Sequence, residues 1–250
     1  MVKFFNISLK LPSVFTRSSN RGISNNMVGS QVGPVHHVST PFETATFGMG
    51  CFWSADSLFG GTYGVLRTRV GYSGGSKPTV PKYKDIGDHV ECVTLDYDPN
   101  KVCYKDLLNL FWNNHEYGLT TRVKRQYMSM IFCHSDEQKH MAMQSIEEER
   151  VNRAPEKIVT EIVSAGPFYP AEDYHQKFRL QAHKDLAKQL GLNSDLLQTS
   201  FVAAKLNGYL VGVGGLKQFD KEANEFGLTQ PQLDYIRRYI EKNEGAGLSC

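Results

Sequence analysis

The strongest constraint on the fold is the alternation, between residues 44 and 165, of short extended runs with helix-spaced ones. "TATFGMG" (44–50) reads as a strand, with "CFWSADSL" (51–58) entering a helix directly after it. "VLRTRVGYS" (65–73) carries β-branched residues and runs into a Gly-Gly turn, and "HVECVTLDY" (89–97) is a strand closed by "DPNK". "YKDLLNLFWNNH" (104–115) has a helical stripe of Leu107, Leu108, Phe111 and Trp112, and "QYMSMIFC" (126–133) reads as another strand. Ser135 and Gln138 make a capping-box start for a helix over 135–154, and "IVTEIVSA" (158–165) is a further strand. This order predicts an α/β or α+β domain and leaves strand order open. The Gly-, Pro- and Lys-rich stretch 73–88 reads as a long surface loop. Beyond "FYPAEDYHQKF" (168–178) the chain turns helical, with Ser194 predicted to cap "SDLLQTSFVAAKLN" and Thr229, followed by Pro231, to cap "TQPQLDYIRRYIEKN".

Three regions follow. The first 42 residues contain Lys3, Lys10, Arg17 and Arg21 and no acid before Glu43, the composition of an organellar transit segment or a tail, and are set outside the fold; Met27 offers a second start. Residues 43–180 form the main domain, and 181–250 a helical extension ending in the glycine-containing, cysteine-bearing tail "EGAGLSC". A net charge of +2 without dense basic runs gives no reason to expect a nucleic-acid partner, and no apolar run is long enough for a membrane span. Five cysteines, an odd number without zinc spacing, fit reduced thiols in an intracellular setting. With the basic N-terminal segment, the compartment expected is cytoplasmic or mitochondrial, and the chain is expected to work as a monomer.

Cys51 is the focus of chemistry. It stands at a helix start behind Gly48 and Gly50, where backbone N–H groups favour thiolate, and Phe52 and Trp53 follow it as an apolar wall. The same pattern also suits a buried structural cysteine. Glu91 shares a strand face with Val93, Leu95 and Tyr97, so its carboxyl is either partnered or kept protonated by desolvation. A Cys/His hydrolase using His89, His115 or His175 as base is one reading of these residues, and a non-catalytic redox-sensing module is another. The cysteines and histidines lack metal-ligand spacing, and "GMGCFW" lacks a phosphate-loop glycine pattern, so neither a metal nor a tightly bound cofactor is expected.

"GCFW", "VGYSGG…PKY", "GDHVE", "LDYDP", "LFWNNH", "QYMS" and "FYPAEDYHQKF" stand in one order over roughly residues 45–178. In these segments the chain resembles the peptide methionine sulfoxide reductase A family. The resemblance implies an α/β (α+β) two-layer sandwich with a mixed sheet and a ferredoxin-like core. It implies a catalytic domain that reduces the S epimer of methionine sulfoxide, free or in oxidised proteins and peptides, with thioredoxin as reductant. Cys51 is then the nucleophile that becomes a sulfenic acid and Glu91 the proton donor. Tyr83 and Tyr127 hold the sulfoxide oxygen, and Phe52 and Trp53 the S-methyl group.

The chain departs from the family pattern in three places. Asp56 replaces a longer Glu five residues after the nucleophile. The stretch after "NNH" is shortened and puts Arg122 where an acid is usual, with His115-Glu116 standing for a His-Asp pair and Glu116 taken as a substrate contact. Leu210 in "NGYL" replaces a resolving cysteine, and Cys250 is the expected substitute; Cys92, Cys103 and Cys133 are read as structural.

Overall fold

The computed structural model describes residues 33–76, 80–118 and 124–248. The alternating runs become β1 (Glu43–Met49), α1 (Phe52–Gly61), β2 (Val65–Ser73), β3 (Val90–Tyr97), α2 (Tyr104–Asn113) and β4 (Ser129–Cys133). β1 pairs antiparallel with β3 and β4, and β3 antiparallel with β2, giving the order β4-β1-β3-β2. This is the split βαββαβ arrangement of a ferredoxin-like core. β5 (Glu161–Ser164) joins β4 in parallel and β6 (Tyr169–Pro170) joins β2 antiparallel, so the sheet of six described strands is mixed. α3 (Asp136–Asn152) starts where the capping pattern placed it, Ser135 Oγ accepting the Gln138 N–H at 3.1 Å.

The main core lies between one face of the sheet and its helices, with Phe47 stacked against Phe59 and Phe111 at 5.2 and 5.3 Å. β3 is buried on both faces: Val93, Leu95 and Tyr97 enter that core, while Val90 and Cys92 join Met130 and Phe132 on the other side. The remaining helices are α4 (Phe178–Gln181), α5 (Lys184–Gln189), α6 (Leu196–Thr199), α7 (Phe201–Tyr209), α8 (Gly215–Glu222) and α9 (Gln230–Asn243). They close over a second core that includes Val202, Leu206, Tyr209, Phe219, Phe226 and Ile236. α7 lies directly on α1. A Cβ added at Gly208 would stand 2.4 Å from the Gly61 nitrogen and 2.5 Å from the Ser57 carbonyl oxygen. Only glycine permits that approach.

Several expectations are corrected. The run 126–133 is not all strand: Arg125–Tyr127 form a 3-10 turn ahead of β4. A strand would send Gln126 and Tyr127 to opposite faces, whereas the turn brings both toward Glu91. Ser194 does not cap the later helix, because its hydroxyl donates to Asp173; Ser200 interrupts that segment and caps α7 by accepting the Ala203 N–H at 3.1 Å. α8 was not expected from the sequence. Residues 33–42 also belong to the folded structure: Val35 and Val38 pack in the second core, and the Phe201 N–H donates to the His36 carbonyl at 2.7 Å.

Candidate active site

β1 is followed by Gly50, whose φ of +85° lies in the left-handed region, and this turns the chain into α1. Cys51 takes the N-cap position with extended backbone (φ −63°, ψ 121°) and is partly exposed, while Phe52 is buried. The first amide of α1 is engaged at once: the Phe52 N–H donates to Glu91 Oε2 at 3.1 Å. Glu91 is only 1% exposed on β3. Its other oxygen, Oε1, accepts from Gln126 Nε2 at 2.5 Å. The Cys51 thiol and the Glu91 carboxyl are therefore neighbours through a single backbone amide.

Tyr127 completes the group. Burial pushes its phenol pKa up, and Glu91, Tyr83 and Cys51 add to the rise, with Tyr83 as a hydrogen-bond partner. The phenol stays protonated and able to donate. Cys51, Glu91, Tyr83 and Tyr127, scattered over 77 positions of sequence, meet at the head of α1.

The aromatic wall is larger than expected. The Trp53 indole lies flat on Phe178, centroids 3.8 Å apart and planes at 5°. Phe52 packs near Tyr72 and His175. Tyr83, on the loop, also packs against the His175 ring, centroids 4.5 Å apart. Trp53 Nε1–H donates to His175 Nδ1 at 3.1 Å, so the neutral ring carries its proton on Nε2. Burial lowers the His175 pKa, against the pull of Glu172, and its Nε2 is buried without a hydrogen-bond partner among the described atoms.

The segment "EDYHQK" (172–177) fixes this wall in place. Glu172 accepts the Tyr72 hydroxyl at 2.9 Å and the Tyr83 N–H at 3.1 Å, tying the loop to β2. Gln176 pairs with Val70 as a strand neighbour would, accepting its N–H at 2.9 Å and donating to its carbonyl at 2.8 Å. Lys177 is fully buried; its Nζ lies 3.1 Å from Asp56 Oδ1 and donates to the Thr68 carbonyl at 2.6 Å. The Lys177 N–H reaches Asp56 Oδ2 at 3.0 Å, and the Thr68 hydroxyl donates to Asp56 Oδ1 at 2.5 Å. The shorter acid at position 56 is thus fully engaged with a partner 121 residues away.

Other expected residues fall elsewhere. Glu116 is exposed beyond α2, while His115 turns inward, its Nδ1–H on the Phe111 carbonyl at 2.6 Å and its Nε2 accepting from Ser129 Oγ at 2.6 Å. Both nitrogens of His115 are therefore occupied, and with His175 bound to Trp53 neither forms the base of a thiol hydrolase. Leu210 is buried in the second core. Cys92 and Cys133 are buried, but Cys103 is exposed at the N-cap of α2. Arg122 and Cys250 lie outside the described residues; Leu248, near the latter, packs against the main core. Sequence reading missed Gln126, Glu172, Gln176, Lys177 and Phe178. Their only signal was adjacency, Gln126 to Tyr127 and the rest within "FYPAEDYHQKF".

A thiol at a helix start, a buried carboxyl one amide away, two phenols and an apolar wall suit one kind of step. The sulfur can attack an electrophilic atom whose oxygen leaves with protons, while a small apolar group rests on the rings.

Comparison with known proteins agrees with this geometry. The family model described as "Peptide methionine sulfoxide reductase" matches residues 43–205. A second, "Selenoprotein methionine sulfoxide reductase A, helical domain", matches residues 191–241. The chain is 55% identical to a peptide methionine sulfoxide reductase of Drosophila melanogaster, over 98% of this chain and all of that one. It is 39% identical to peptide methionine sulfoxide reductase A5 of Arabidopsis thaliana, over 82% and 80% of the two chains. Among solved structures, methionine sulfoxide reductase A of Corynebacterium diphtheriae superposes with a TM-score of 0.53 at 30% identity, covering 60% of this chain and 82% of that one.

Proposed function

This chain belongs to the peptide methionine sulfoxide reductase family, and on that premise we propose how its own residues carry the reduction. The activity is thiol-dependent conversion of methionine sulfoxide to methionine. The observation that carries the assignment of roles is the Phe52 N–H on Glu91 Oε2, which sets acid and nucleophile side by side.

The Cys51 thiolate attacks the sulfoxide sulfur. Glu91 gives its proton to the sulfoxide oxygen, the Tyr83 and Tyr127 hydroxyls donate to that oxygen, and the S-methyl group rests against Phe52 and Trp53. The adduct, with Cys51 bonded to the substrate sulfur, collapses as the protonated oxygen passes to the Cys51 sulfur; the S–O and S–S bonds to the substrate sulfur break, methionine leaves, and Cys51 holds the oxygen as a sulfenic acid. Two electrons have passed from the thiol to the substrate. A second thiol, Cys250, condenses with the sulfenic acid, releasing water and leaving a disulfide for a thioredoxin-type dithiol to reduce. Substrates are the S epimer, free or within oxidised polypeptides. The odd cysteine count supports a reducing intracellular compartment, cytoplasmic or mitochondrial, in which the chain acts as a monomer.

The test is incubation of the reduced protein with each epimer of methionine sulfoxide and dithiothreitol. Methionine is expected from the S epimer alone, and none from Cys51→Ser. Equal turnover of both epimers, or activity in Cys51→Ser, overturns the reading.

A further inference from the structure

Glu91 has two oxygens and a donor on each, one from the backbone of α1 and one from a side chain with no role so far. We propose that Gln126 is a positioning residue which aims the Glu91 carboxyl at the substrate and strengthens it as an acid, a role that rests on Glu91 being the proton donor. Three observations carry this.

The first is geometry. Gln126 Nε2 lies 2.5 Å from Glu91 Oε1 while the Phe52 N–H holds Oε2 at 3.1 Å, so the carboxyl plane is fixed from both ends. The second is energetic. Burial favours the neutral acid, which must then release its proton in a nearly dry site. An N–H donor strengthens its bond as charge forms on the oxygen, so Gln126 stabilises the developing carboxylate and not the acid it came from. The third is placement. Gln126 sits in the 3-10 turn with Tyr127, so one backbone element supplies the partner of the acid and a phenol for the substrate oxygen.

The titratable groups around Glu91 include Cys51 at the head of α1, Tyr72 from β2, Tyr127 from the turn with Tyr83 beside it, and Cys92 on its own strand. The neighbouring Arg125 turns outward, to Glu161 at 3.2 Å and the Asp88 carbonyl at 3.3 Å.

The experiment is the pH dependence of the single-turnover rate of the pre-reduced full chain with methionine S-sulfoxide. Wild type, Gln126→Met, Gln126→Lys and Glu91→Gln are compared. Gln126→Met keeps length but removes the donor, so the alkaline limb of the profile should move up by about one pH unit. The plateau rate should fall about threefold, as expected for a tenfold weaker acid at half proton transfer. Gln126→Lys keeps a donor and adds positive charge, so its limb should move the other way. Opposite shifts from two substitutions at one site are not what a packing defect produces. If Glu91→Gln leaves rate and limb unchanged, the proton-donor reading fails and the inference falls with it. If Glu91→Gln abolishes the limb but both Gln126 variants keep it at the wild-type pH, Glu91 stands and the role of Gln126 is refuted. Should Gln126→Met not fold, an unmoved limb in Gln126→Lys refutes it alone.

Discussion

Replacing Lys177 by Met tests whether the site rests on a single buried charge pair. Both side chains of the Lys177–Asp56 pair are inaccessible to solvent. Burial pushes the Lys177 pKa down, and Asp56 opposes that shift. The residue also adopts φ 50°, in the left-handed region, a conformation that costs about 1–2 kcal/mol for a residue with a Cβ. Methionine keeps the stem in its channel and deletes only the ammonium. Asp56 then retains the Thr68 hydroxyl and the Lys177 N–H but loses its counter-charge, and the Thr68 carbonyl loses its donor. Breaking one side of such a pair costs about 3–5 kcal/mol. For a chain of this size that lowers the melting temperature by about 10 °C. Urea denaturation followed by tryptophan fluorescence reads the loss directly. Asp56→Asn added to Lys177→Met removes the stranded charge and should restore much of it. The same pair anchors the segment that holds His175 against Trp53, so Lys177→Met should raise KM more than it lowers kcat. A loss under about 1 kcal/mol, or a double variant no more stable than Lys177→Met, refutes the reasoning.

Three further outcomes follow from other parts of the molecule. Burial holds the His115 imidazole down to about 4 from an ordinary 6.5, so between these values the unfolded chain binds more protons and stability falls as pH drops. From pH 7 to pH 5 the loss should be about 2 kcal/mol, and His115→Gln should lack that part of it in urea titrations at the two pH values. Gly208→Ala places a methyl group against the backbone of α1 and should cost about 2 kcal/mol or more by thermal unfolding; unchanged stability would show that the two helices can separate freely. After one equivalent of substrate without reductant, peptide mapping should recover a Cys51–Cys250 disulfide, and Cys250→Ser should slow cycling with thioredoxin; a Cys51 disulfide to Cys92, Cys103 or Cys133 would reassign the resolving thiol.

Local chemistry was well written in the sequence. Cys51 behind Gly50, the stripe of α2 and the Ser135 cap each depend on neighbours a few residues away, and each is where the periodicity put it. Glu91 was readable as a carboxyl on an apolar face because strand alternation is strict. What escaped was pairing across distance. Asp56 looked like a shortened family acid, and nothing near it named Lys177 as the residue that fills the gap. Gln126 was hidden because a strand was assumed through 126–133, and a strand would have turned it from Glu91. The break at Ser200 was missed because Ser194 offered an equally good cap by composition, and only the tertiary contact with Asp173 decides between them. Residues 33–42 look like tail because the second core, against which Val35 and Val38 pack, is built from residues more than 140 positions after them.

The seating of α7 on α1 has a kinetic meaning. α1 has the sheet on one side and a glycine-lined helix on the other, and every residue from Ala55 to Gly61 is buried. Such a helix has no soft flank from which to fray. Its amides should exchange with solvent only when the whole protein opens, placing α1 in the slowest-exchanging unit, while the 80–88 loop around Tyr83 exchanges early. Cys51 thus stands at the partly exposed end of a helix held closely on both sides. With α1 held in this way, the Phe52 N–H should keep Cys51 and Glu91 in register however early the loop around Tyr83 exchanges.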